Sequence, residues 1–453
     1  MRYLPHTEGE IAEMLSAAGL RSVDELFSSI PEPVRTKRPL ELGDALDEPT
    51  LMRHVRELCD KNRGGKMLSF LGAGAYDHVF PVAADQLLLR SELYTSYTPY
   101  QPEVAQGTLQ ILFEFQTIVS EILGLPIANA SIYDCSTALA EAVLMARRLT
   151  GRDKAVLSGC VHPDYAATVQ TYTRELDHGH ERWAVVPARA DGATDLAATA
   201  ASIDASTACV VVGYPSFYGT VSDVRELAAA AKAAGALFIT VTAEPFALAL
   251  LEPPGAVGAD IAVAEGQALG LPPQYGGPGV GLFACRDERK FMQQLPGRLC
   301  GETVDRHGQR GYVLTLSTRE QHIRRERATS NICTNSGLCA TALTIKMCML
   351  GKHGFIKAAE LCLAKAQYLS EKLAELQGYS VVSAAPTFNE LTVKVPGEAK
   401  AVVGALIAEG IIAGLDLGRY DASRKDQLLV AVTEKHTRGD LDRLITALAK
   451  LSS

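Results

Sequence analysis

Short apolar runs that alternate with helix-like segments constrain the fold of this chain more than any other feature of its sequence. Strand-like runs occupy residues 155–158, 184–187, 209–214, 237–241 and 261–264. Segments with a helical spacing of apolar residues, such as 223–234, lie between them. This alternation predicts a mostly parallel sheet covered by helices. Ligands of such sheets usually bind beyond the carboxyl ends of the strands, where His162, Tyr214 and Gln267 occur.

The two ends of the chain predict smaller parts around this central region. Residues 1–65 are expected to form a helical N-terminal arm, and residues 66–330 the large α/β domain. Residues 331–453 predict a small α+β domain, because helical and strand patterns follow one another there. Helical patterns cover 336–349, 355–376, 399–408 and 441–448, and strand patterns cover 379–383, 390–395 and 428–432.

Helix starts are predicted by several side chains that cap backbone amides. The capping-box pattern pairs a hydroxyl residue with a glutamate three positions later. It occurs as Thr7 with Glu10, Ser22 with Glu25, and Ser317 with Glu320. Ser136 or Thr137 is expected to cap a further helix that runs to Arg148, which leaves the first amides of that helix free to face an anion.

Composition and charge limit the partners of the chain. Its 453 residues are 47% hydrophobic and 21% charged, with a formal net charge of −8, which argues against nucleic acid as the main partner. No window has the roughly 18 uninterrupted apolar residues of a membrane span. The ten cysteines are scattered without a C-x-x-C pair, so neither a metal site nor a disulfide framework is expected. We therefore expect a cytoplasmic protein without membrane contacts.

Residues 259–284 read as a short buried strand, a loop rich in glycine and proline, and a second strand. Gln267 lies at the start of this loop, and the sequence has no lysine between Asp260 and Cys285. Glycine has no Cβ and tolerates positive φ, so such a loop lets the backbone approach another group closely. An ordinary glycine-rich turn would have the same pattern.

Three tyrosines are closely spaced in residues 91–106, SELYTSYTPYQPEVAQ. Tyr94, Tyr97 and Tyr100 alternate there with small hydroxyl residues and prolines. This composition predicts a rigid loop that presents phenols, rather than a helix or a strand. We name residues 94–100 the phenol loop. A packed surface loop without a function is the alternative.

Hydroxyl and amide side chains are concentrated farther along, after a helical pattern rich in arginine. Thr329, Ser330, Asn331 and Thr334 offer hydrogen bonds that suit a phosphate or a carboxylate. We name residues 329–335 the polar segment. The arginines that precede it are typical of a solvated face, although a ligand-binding face is the alternative. They are Arg319, Arg324, Arg325 and Arg327.

Four long stretches together closely resemble one known family. They are SELYTSYTPYQPEVAQGTLQ, ASIYDCSTALAEA, AEGQALGLPPQYGGPGVG and TREQHIRRERATSNICTN. They resemble the P-proteins of the glycine cleavage system, in particular the alpha subunits (subunit 1) of the split bacterial glycine decarboxylase. The resemblance runs from the first residues to the last helix. It implies an α/β pyridoxal-phosphate (PLP)-dependent transferase fold of the aspartate-aminotransferase type, fold type I.

The resemblance also implies an activity and partners. An α2β2 heterotetramer with a beta subunit would decarboxylate glycine, release CO2 and pass the aminomethyl group to the lipoyl arm of H-protein. PLP would be held by a lysine of the beta subunit, so this chain would be an enzyme subunit that is inactive alone. Tyr94, Tyr97 and Tyr100 would be its catalytic contribution at the shared pocket. The polar segment, through Thr329, Ser330, Asn331 and Thr334, would bind the cofactor phosphate or the substrate carboxylate, and the arginines would guide the acidic H-protein.

The chain departs from the PLP-binding members of this fold at two places. Gln267 stands where the cofactor lysine would fall, and an amide cannot form a Schiff base. Val241 and Thr242 occupy the region where an aspartate would meet the pyridine nitrogen, and Glu244 looks displaced from it. Within the family pattern, Cys135 also replaces an expected glycine at the turn that grips phosphate in related enzymes. These departures indicate a degenerate cofactor site.

Two other functions fit parts of the sequence. A self-sufficient PLP enzyme would need its lysine elsewhere, such as Lys232 in a predicted helix or Lys290 in a charged run. A non-catalytic scaffold that stabilises the beta subunit is the second alternative. His162 occurs where a residue stacks on the cofactor ring in PLP enzymes, but a hydrogen-bonded structural histidine is the favoured interpretation.

Overall fold

The structure, a computed structural model, describes residues 5–94, 97–177, 182–274, 276–316 and 321–451. Two compact units divide the chain, Met1–Gly65 and Lys66–Ser453. The predicted capping box of Ser317 and Glu320 lies outside the described residues, as does Arg319.

Helices make up the regular structure of the first unit. Helix α1 spans Glu8–Ala17 and α2 spans Glu48–Asp60, with short 3-10 helices at Val23–Phe27 and Glu32–Val34 between them. The capping box at the start of α1 is confirmed, because Thr7 Oγ1 accepts from the N–H of Glu10 and the Glu10 carboxylate accepts from the N–H of Thr7.

The second predicted capping box is wrong. Ser22 makes no side-chain capping bond to the 3-10 helix that follows it. The Glu25 carboxylate instead accepts from the backbone N–H of Arg21 at 3.0 Å and pairs with the Arg21 guanidinium. A charged partner four positions earlier therefore takes the carboxylate that the box required.

The second unit contains the remaining helices and all the described strands. Its helices are α3 Val82–Leu88, α4 Ser91–Tyr94, α5 Gln106–Leu123, α6 Cys135–Thr150, α7 Pro163–Thr173, α8 Leu196–Ala201, α9 Arg225–Ala233, α10 Gln267–Gly270, α11 Arg289–Gln294, α12 Gln321–Arg324, α13 Gly337–Ala374, α14 Ala399–Ala408 and α15 Arg438–Ala449. Its strands are β1 Leu68–Ser69, β2 Ile127–Ala128, β3 Lys154–Ser158, β4 Trp183–Val186, β5 Thr207–Gly213, β6 Leu237–Thr242, β7 Ile261–Glu265, β8 Gly281–Cys285, β9 Leu299–Val304, β10 Arg310–Thr315, β11 Ser380–Val381, β12 Glu390–Lys394, β13 Ile411–Ile412, β14 Leu415–Asp416 and β15 Gln427–Ala431.

A large sheet forms the centre of this unit. Within the described ranges it has seven strands in the order β2-β8-β7-β6-β5-β3-β4. Strands β3 to β7 are mutually parallel, whereas β8 runs antiparallel to both β7 and β2. The predicted strand-like runs all fall in β3 to β7, so the prediction of a mostly parallel sheet is confirmed. Because parallel strands end at the same edge, the residues after β5, β6 and β7 come close together.

Burial on both faces explains the continuous apolar runs. Every residue of β5 is buried, and its side chains alternate between two cores. Val210 and Val212 belong to one core, whereas Cys209 and Val211 belong to the core that also contains the apolar face of α6. Burying one such valine contributes on the order of 2 kcal/mol, so this strand has little freedom to change its register.

The C-terminal part packs a smaller antiparallel sheet against helices. In the described part of the chain this sheet has four strands in the order β11-β12-β15-β14. Helix α13 leads into it and is interrupted at Gly351, where φ is 61° and ψ is 176°. The predicted gap between the helical patterns 336–349 and 355–376 is confirmed at this glycine, since positive φ is accessible to glycine without strain. No helix among the described residues is both long and apolar enough to cross a membrane.

Candidate functional site

The N-terminus of α6 faces the carboxyl ends of the central strands. Asp134 caps this helix, because its Oδ1 accepts from the N–H of Thr137 at 2.8 Å while Thr137 Oγ1 accepts from the N–H of Asp134 at 3.3 Å. The prediction that Ser136 or Thr137 is the cap is therefore wrong. The helix begins earlier, at Cys135, and the Ser136 hydroxyl donates to the capping carboxylate.

Glu265, the last residue of β7, places its carboxylate against this helix terminus. Its Oε2 accepts from the N–H of Cys135 at 2.9 Å, and its Oε1 accepts from the N–H of Gln267 at 2.9 Å and of Val280 at 3.1 Å. The side chain is buried. Burial raises the pKa of Glu265 to about 7, against the lowering effect of the three N–H donors and with a further rise from the charge of Asp134.

Gln267 starts α10 and is bound through its amide to a distant part of the chain. Its Oε1 accepts from the N–H of Tyr76 at 3.1 Å, and its Nε2 donates to the carbonyls of Tyr76 at 3.3 Å and Leu271 at 2.6 Å. The side chain is buried. Both a donor and an acceptor are needed here, and a lysine ammonium has no acceptor.

Tyr76 belongs to segment 72–79, which packs into this region. Its hydroxyl donates to Oε2 of Glu390 at 2.8 Å, while Oε1 of Glu390 accepts from the N–H of Ala73 at 2.8 Å. Tyr76 and Glu390 are both buried. Burial raises the pKa of Glu390 to about 7, although the bonds from Ala73 and Tyr76 lower it. Buried side chains of the chain itself therefore fill the space around Gln267.

His78, two residues farther along, lies between two carboxylates. Its Nε2 is 3.0 Å from Glu244 and its Nδ1 is 2.6 Å from Glu434, and its ring stacks on Phe246 at 4.0 Å. Burial alone would lower the pKa of His78, but the charge of Glu244 and hydrogen bonds with Cys362, Glu244 and Glu434 raise it well above its usual value. The raised pKa favours the charged form of His78, which contacts both carboxylates.

Glu244 is consequently committed to contacts within the chain. Besides His78, it accepts from Asn389 Nδ2 at 3.2 Å and from the N–H of Phe246 at 2.9 Å. Glu244 is the carboxylate nearest in the sequence to the expected pyridine position, and its hydrogen bonds are made within the chain. With Gln267 and Glu265, this makes three groups that do not fit PLP, so the residues of this chain do not form a PLP site.

A nitrogen, a sulfur and an oxygen approach one another around His78. Among the described residues, the ligand atoms of His78, Cys362 and Glu434 lie within 4.8 Å of one another, as in sites that could hold a metal ion. Both ring nitrogens of His78 already contact carboxylates. A hydrogen-bonded network accounts for this cluster, and the sequence-based expectation of no metal site stays a prediction.

Lys346 was not singled out by the sequence analysis. It is buried on α13, donates from Nζ to the carbonyl of Ala268 at 2.7 Å, and lies 5.5 Å from the ring of Phe246. Burial lowers its pKa to about 8. The signal was a single lysine within the apolar run TALTIKMCML. Lys232 is exposed on α9 and Lys290 pairs with Glu288, so neither has this buried setting.

His162 caps α7 rather than facing an open pocket. Its Nδ1 accepts from the N–H of Asp164 at 3.1 Å, so Nε2 donates to the carbonyl of Ala73 at 2.9 Å. The ring stacks on Tyr165 with centroids 4.5 Å apart. Burial lowers the pKa of His162. These contacts are those of a structural histidine.

The phenol loop is exposed and contacts the polar segment. Tyr94, Tyr97 and Tyr100 are 60%, 78% and 64% exposed. The hydroxyls of Thr98 and Thr334 are 2.9 Å apart. Thr95 and Ser96 lie outside the described residues. Tyr94 ends the single helical turn α4, so the expectation of a stretch without any helix is wrong at its first residues.

Arg298 contacts both the phenol loop and the polar segment. It is buried, its guanidinium lies 5.3 Å from the ring centroid of Tyr100, and its Nη2 donates to the carbonyl of Cys333 at 3.1 Å. A planar guanidinium suits this position, because it stacks on an aromatic face while its edge donates hydrogen bonds. No local pattern in the sequence marks this residue.

The other members of the polar segment face a separate cleft. Thr329, Ser330 and Asn331 line a cavity of about 670 Å³ between α6 and α7. Burial raises the pKa values of Glu141 and Tyr172 beside this cleft, and nearby Ser330 lowers the first while nearby Asn331 lowers the second. The structure therefore brings Thr334 to the phenol loop, and the other three predicted residues to this cleft. Arg324, Arg325 and Arg327 are exposed, as expected for a solvated face.

Comparison with known proteins places these features in one family. The sequence matches the family described as "Glycine cleavage system P-protein" over residues 1–448. It is 67% identical over 450 residues to the "Probable glycine dehydrogenase (decarboxylating) subunit 1" of Sorangium cellulosum (strain So ce56), covering 99% of both chains.

Solved structures share the fold over the whole chain. A crystal structure of glycine decarboxylase (P-protein) of the glycine cleavage system, in inhibitor-bound form, has a TM-score of 0.89 and 40% identity and covers 100% of both chains. Glutamate decarboxylase of Lactobacillus brevis has a TM-score of 0.69 at 14% identity, covering 94% of this chain and 96% of that one, which supports the fold alone.

Proposed function

Because the chain belongs to the glycine cleavage system P-protein family and has the fold type I architecture of PLP-dependent transferases, we propose that it works as subunit 1 of glycine dehydrogenase (decarboxylating). With a second subunit, it decarboxylates glycine, releases CO2 and passes the aminomethyl group to the lipoyl arm of H-protein. The two subunits form an α2β2 assembly. The name of the relatives, which specifies a subunit 1, supports a partner chain.

The proposal assigns the cofactor to a lysine of the partner subunit. The support lies in the three committed groups of this chain. The Gln267 amide is bonded to Tyr76, the Glu265 carboxylate to three backbone N–H groups, and Glu244 to His78. The electron sink that glycine decarboxylation requires is then PLP in the partner, and this chain contributes groups that shape the shared pocket and contact its ligands.

The phenol loop is the part of this chain that we assign to the shared pocket. The observation that carries this assignment is the contact of the Thr98 hydroxyl with that of Thr334. The guanidinium of Arg298 against the Tyr100 ring supports it, because both contacts fix the loop that presents the exposed phenols. Tyr94, Tyr97 and Tyr100 offer hydroxyls and rings to glycine and to the lipoyl group.

The polar segment is proposed to bind anionic groups of the cofactor or substrate. Thr334 is best placed, since its hydroxyl lies at the phenol loop. Thr329, Ser330 and Asn331 remain proposed phosphate or carboxylate ligands. Ser330 lies beside Glu141 and Asn331 beside Tyr172, so we propose that these two side chains reorient on assembly. The exposed arginines remain a proposed guide for H-protein.

Co-expression with the partner subunit tests the shared site. Glycine-dependent exchange of labelled CO2, with H-protein present, is measured for each chain alone and for both together. We expect exchange from the pair and none from this chain alone. Exchange by this chain alone, with cofactor fixed to it by borohydride, would favour a self-sufficient PLP enzyme instead.

Substitution in the phenol loop separates a catalytic subunit from a scaffold. Tyr97→Phe and Thr334→Val are expected to lower exchange by roughly tenfold while the subunits still co-purify, because groups at a reacting centre act through their position. Tyr368→Phe is the matched control, since its hydroxyl contacts Asp442 in the small domain. Unchanged exchange in all three variants would support the scaffold.

A further inference from the structure

Asn335 is the last residue of the polar segment and has a buried amide just before α13. The residue is 8% exposed, and its Nδ2 has no hydrogen-bond acceptor within the part of the chain that the structure describes. Buried polar groups in folded proteins are nearly always hydrogen-bonded, because an unpaired donor loses its bonds to water without replacing them. An unpaired buried donor therefore points to a contact that the chain completes only in another state.

The residues on both sides of Asn335 are anchored. Thr334 places its hydroxyl 2.9 Å from that of Thr98 in the phenol loop. The N–H of Ser336 donates to Oγ of Ser131 at 3.1 Å. The backbone that carries the unpaired amide is therefore fixed, and one of its anchors is the phenol loop itself.

The phenol loop offers an acceptor beside this donor. A Cβ added to Gly337 would lie 3.6 Å from the carbonyl oxygen of Tyr97 and 3.7 Å from Nδ2 of Asn335. Both atoms therefore border the same space, which is open because residue 337 has no side chain. They form no hydrogen bond with each other in this structure. A shift of the Tyr97 backbone towards Asn335 would pair the donor with this carbonyl.

We propose that Asn335 is a positioning residue for the phenol loop: in the assembled enzyme its Nδ2 donates to the carbonyl oxygen of Tyr97 and so sets the place of the Tyr97 phenol. This inference rests on the proposed function, because the phenol loop meets glycine only if the two subunits share a pocket. The partner subunit favours the paired arrangement through its higher affinity for that position of the loop. Asn335 acts through Tyr97 and does not itself contact glycine.

Thermal unfolding of the full chain without its partner separates this role from a structural one. Asn335→Leu keeps the approximate size of the side chain but has no donor. Because the donor is unpaired in the isolated chain, the unfolding temperature should stay unchanged or rise. Asn389→Leu is the matched control and should lower it, since Asn389 is also buried but donates from Nδ2 to Glu244 at 3.2 Å. Equal losses in the two variants would overturn the proposal.

Exchange of labelled CO2 by the assembled enzyme gives the second measurement. Asn335→Leu should lower kcat by on the order of tenfold, with little change in the KM for glycine, because a displaced phenol affects the reacting geometry. If Asn335 acts through Tyr97, its combination with Tyr97→Phe should be no slower than Tyr97→Phe alone. Additive losses would overturn the positioning role.

The same assay distinguishes failure of this inference from failure of the proposed function. Loss of exchange in Tyr97→Phe with normal exchange in Asn335→Leu would overturn this inference and leave the role of the phenol loop intact. Normal exchange in both variants would overturn both proposals.

Gly337→Ala tests the contact without changing the amide, and it serves if Asn335→Leu does not fold. Its Cβ fits the isolated chain at ordinary contact distances, but it occupies the space in which the Tyr97 carbonyl and Asn335 Nδ2 would meet. We expect an unchanged or higher unfolding temperature together with a lower kcat. Gly404→Ala, at an exposed position on α14 with open space around it, is the control and should keep normal exchange. Normal exchange in Gly337→Ala would overturn the proposal.

Discussion

Gln267 and Tyr76 are joined by two hydrogen bonds: the Gln267 oxygen accepts from the Tyr76 N–H at 3.1 Å, and the Gln267 nitrogen donates to the Tyr76 carbonyl at 3.3 Å. The residues are 191 positions apart. This contact holds segment 72–79 against Gln267. The position suits an amide, because both a donor and an acceptor are needed there.

Restoring a lysine at this position is expected to weaken the fold. Gln267→Lys leaves the Tyr76 N–H without an acceptor and buries an ammonium group, which should lower the free energy of unfolding by on the order of 3 kcal/mol. Urea unfolding measures the change. Gln110→Lys, on the exposed face of α5, is the control and should change stability by less than about 0.5 kcal/mol. Equal stability of the two variants would contradict the interpretation of Gln267 as a structural amide.

Glu390 should make stability depend on pH. Its pKa is about 7 in the folded chain against an ordinary value of 4.5. A raised carboxyl pKa means that its stabilisation is complete below pH 4.5 and is lost as pH rises through 7. Glu390→Gln removes this dependence, so its stability relative to the unsubstituted chain should rise by up to about 3 kcal/mol from pH 5 to pH 8.

Urea unfolding at several pH values measures that difference. Glu226→Gln, exposed on α9, is the control and should follow the unsubstituted chain at every pH. Parallel pH profiles for Glu390→Gln and the unsubstituted chain would show that burial does not perturb Glu390 in this way.

The imidazolium of His78 is expected to be a major stabilising group. His78→Gln leaves Glu244 and Glu434 buried without a positive partner, which should cost on the order of 3 kcal/mol. Burial would raise the pKa of Glu434, but its contacts with His78 lower the pKa to about 2. The stability that this lowered pKa contributes is present above pH 4.5 and is lost as pH falls towards 2. The stability that the raised pKa of His78 contributes is present below pH 6.5 and is lost as pH rises through the pKa of the folded chain. The loss of stability in His78→Gln should therefore be greatest between pH 4.5 and pH 6.5. His353→Gln, at an exposed position on α13, is the control.

Chelation of divalent metals should leave stability unchanged. The ring nitrogens of His78 are already bonded to Glu244 and Glu434, so the cluster with Cys362 needs no ion to satisfy it. Unfolding temperatures with and without a chelator measure this. A drop that added zinc reverses would instead identify a metal site.

Arg298 is expected to position the phenol loop. In the assembled enzyme, Arg298→Met removes the guanidinium between Tyr100 and Cys333 and should lower glycine-dependent exchange by on the order of tenfold. The exchange of Arg298→Lys should lie between that of Arg298→Met and that of the unsubstituted enzyme, because lysine keeps the charge but not the planar group. Arg310→Met is the control, since Arg310 also lies over a tyrosine ring, that of Tyr312, but is exposed. Equal effects of the two methionine variants would remove this role from Arg298.

Local sequence patterns predicted the elements of the fold well. Apolar runs predicted the parallel strands β3 to β7, and the gap between the helical patterns 336–349 and 355–376 contains Gly351, where α13 is interrupted. The same patterns did not identify the residue that caps α6. Asp134, Ser136 and Thr137 are all common capping residues, and the geometry of the preceding chain decides which of them caps the helix.

The sequence by itself determined that the loop after β7 has a glutamine and no lysine, that strands alternate with helices, and that phenols and hydroxyls are concentrated in two stretches. Only the tertiary structure decided what fills the degenerate site. Glu390 meets Tyr76 across 314 positions, and Glu265 meets Cys135 across 130. Such pairs leave no periodic trace in a sequence, because burial and hydrogen bonding act between residues that are close in space and far apart along the chain.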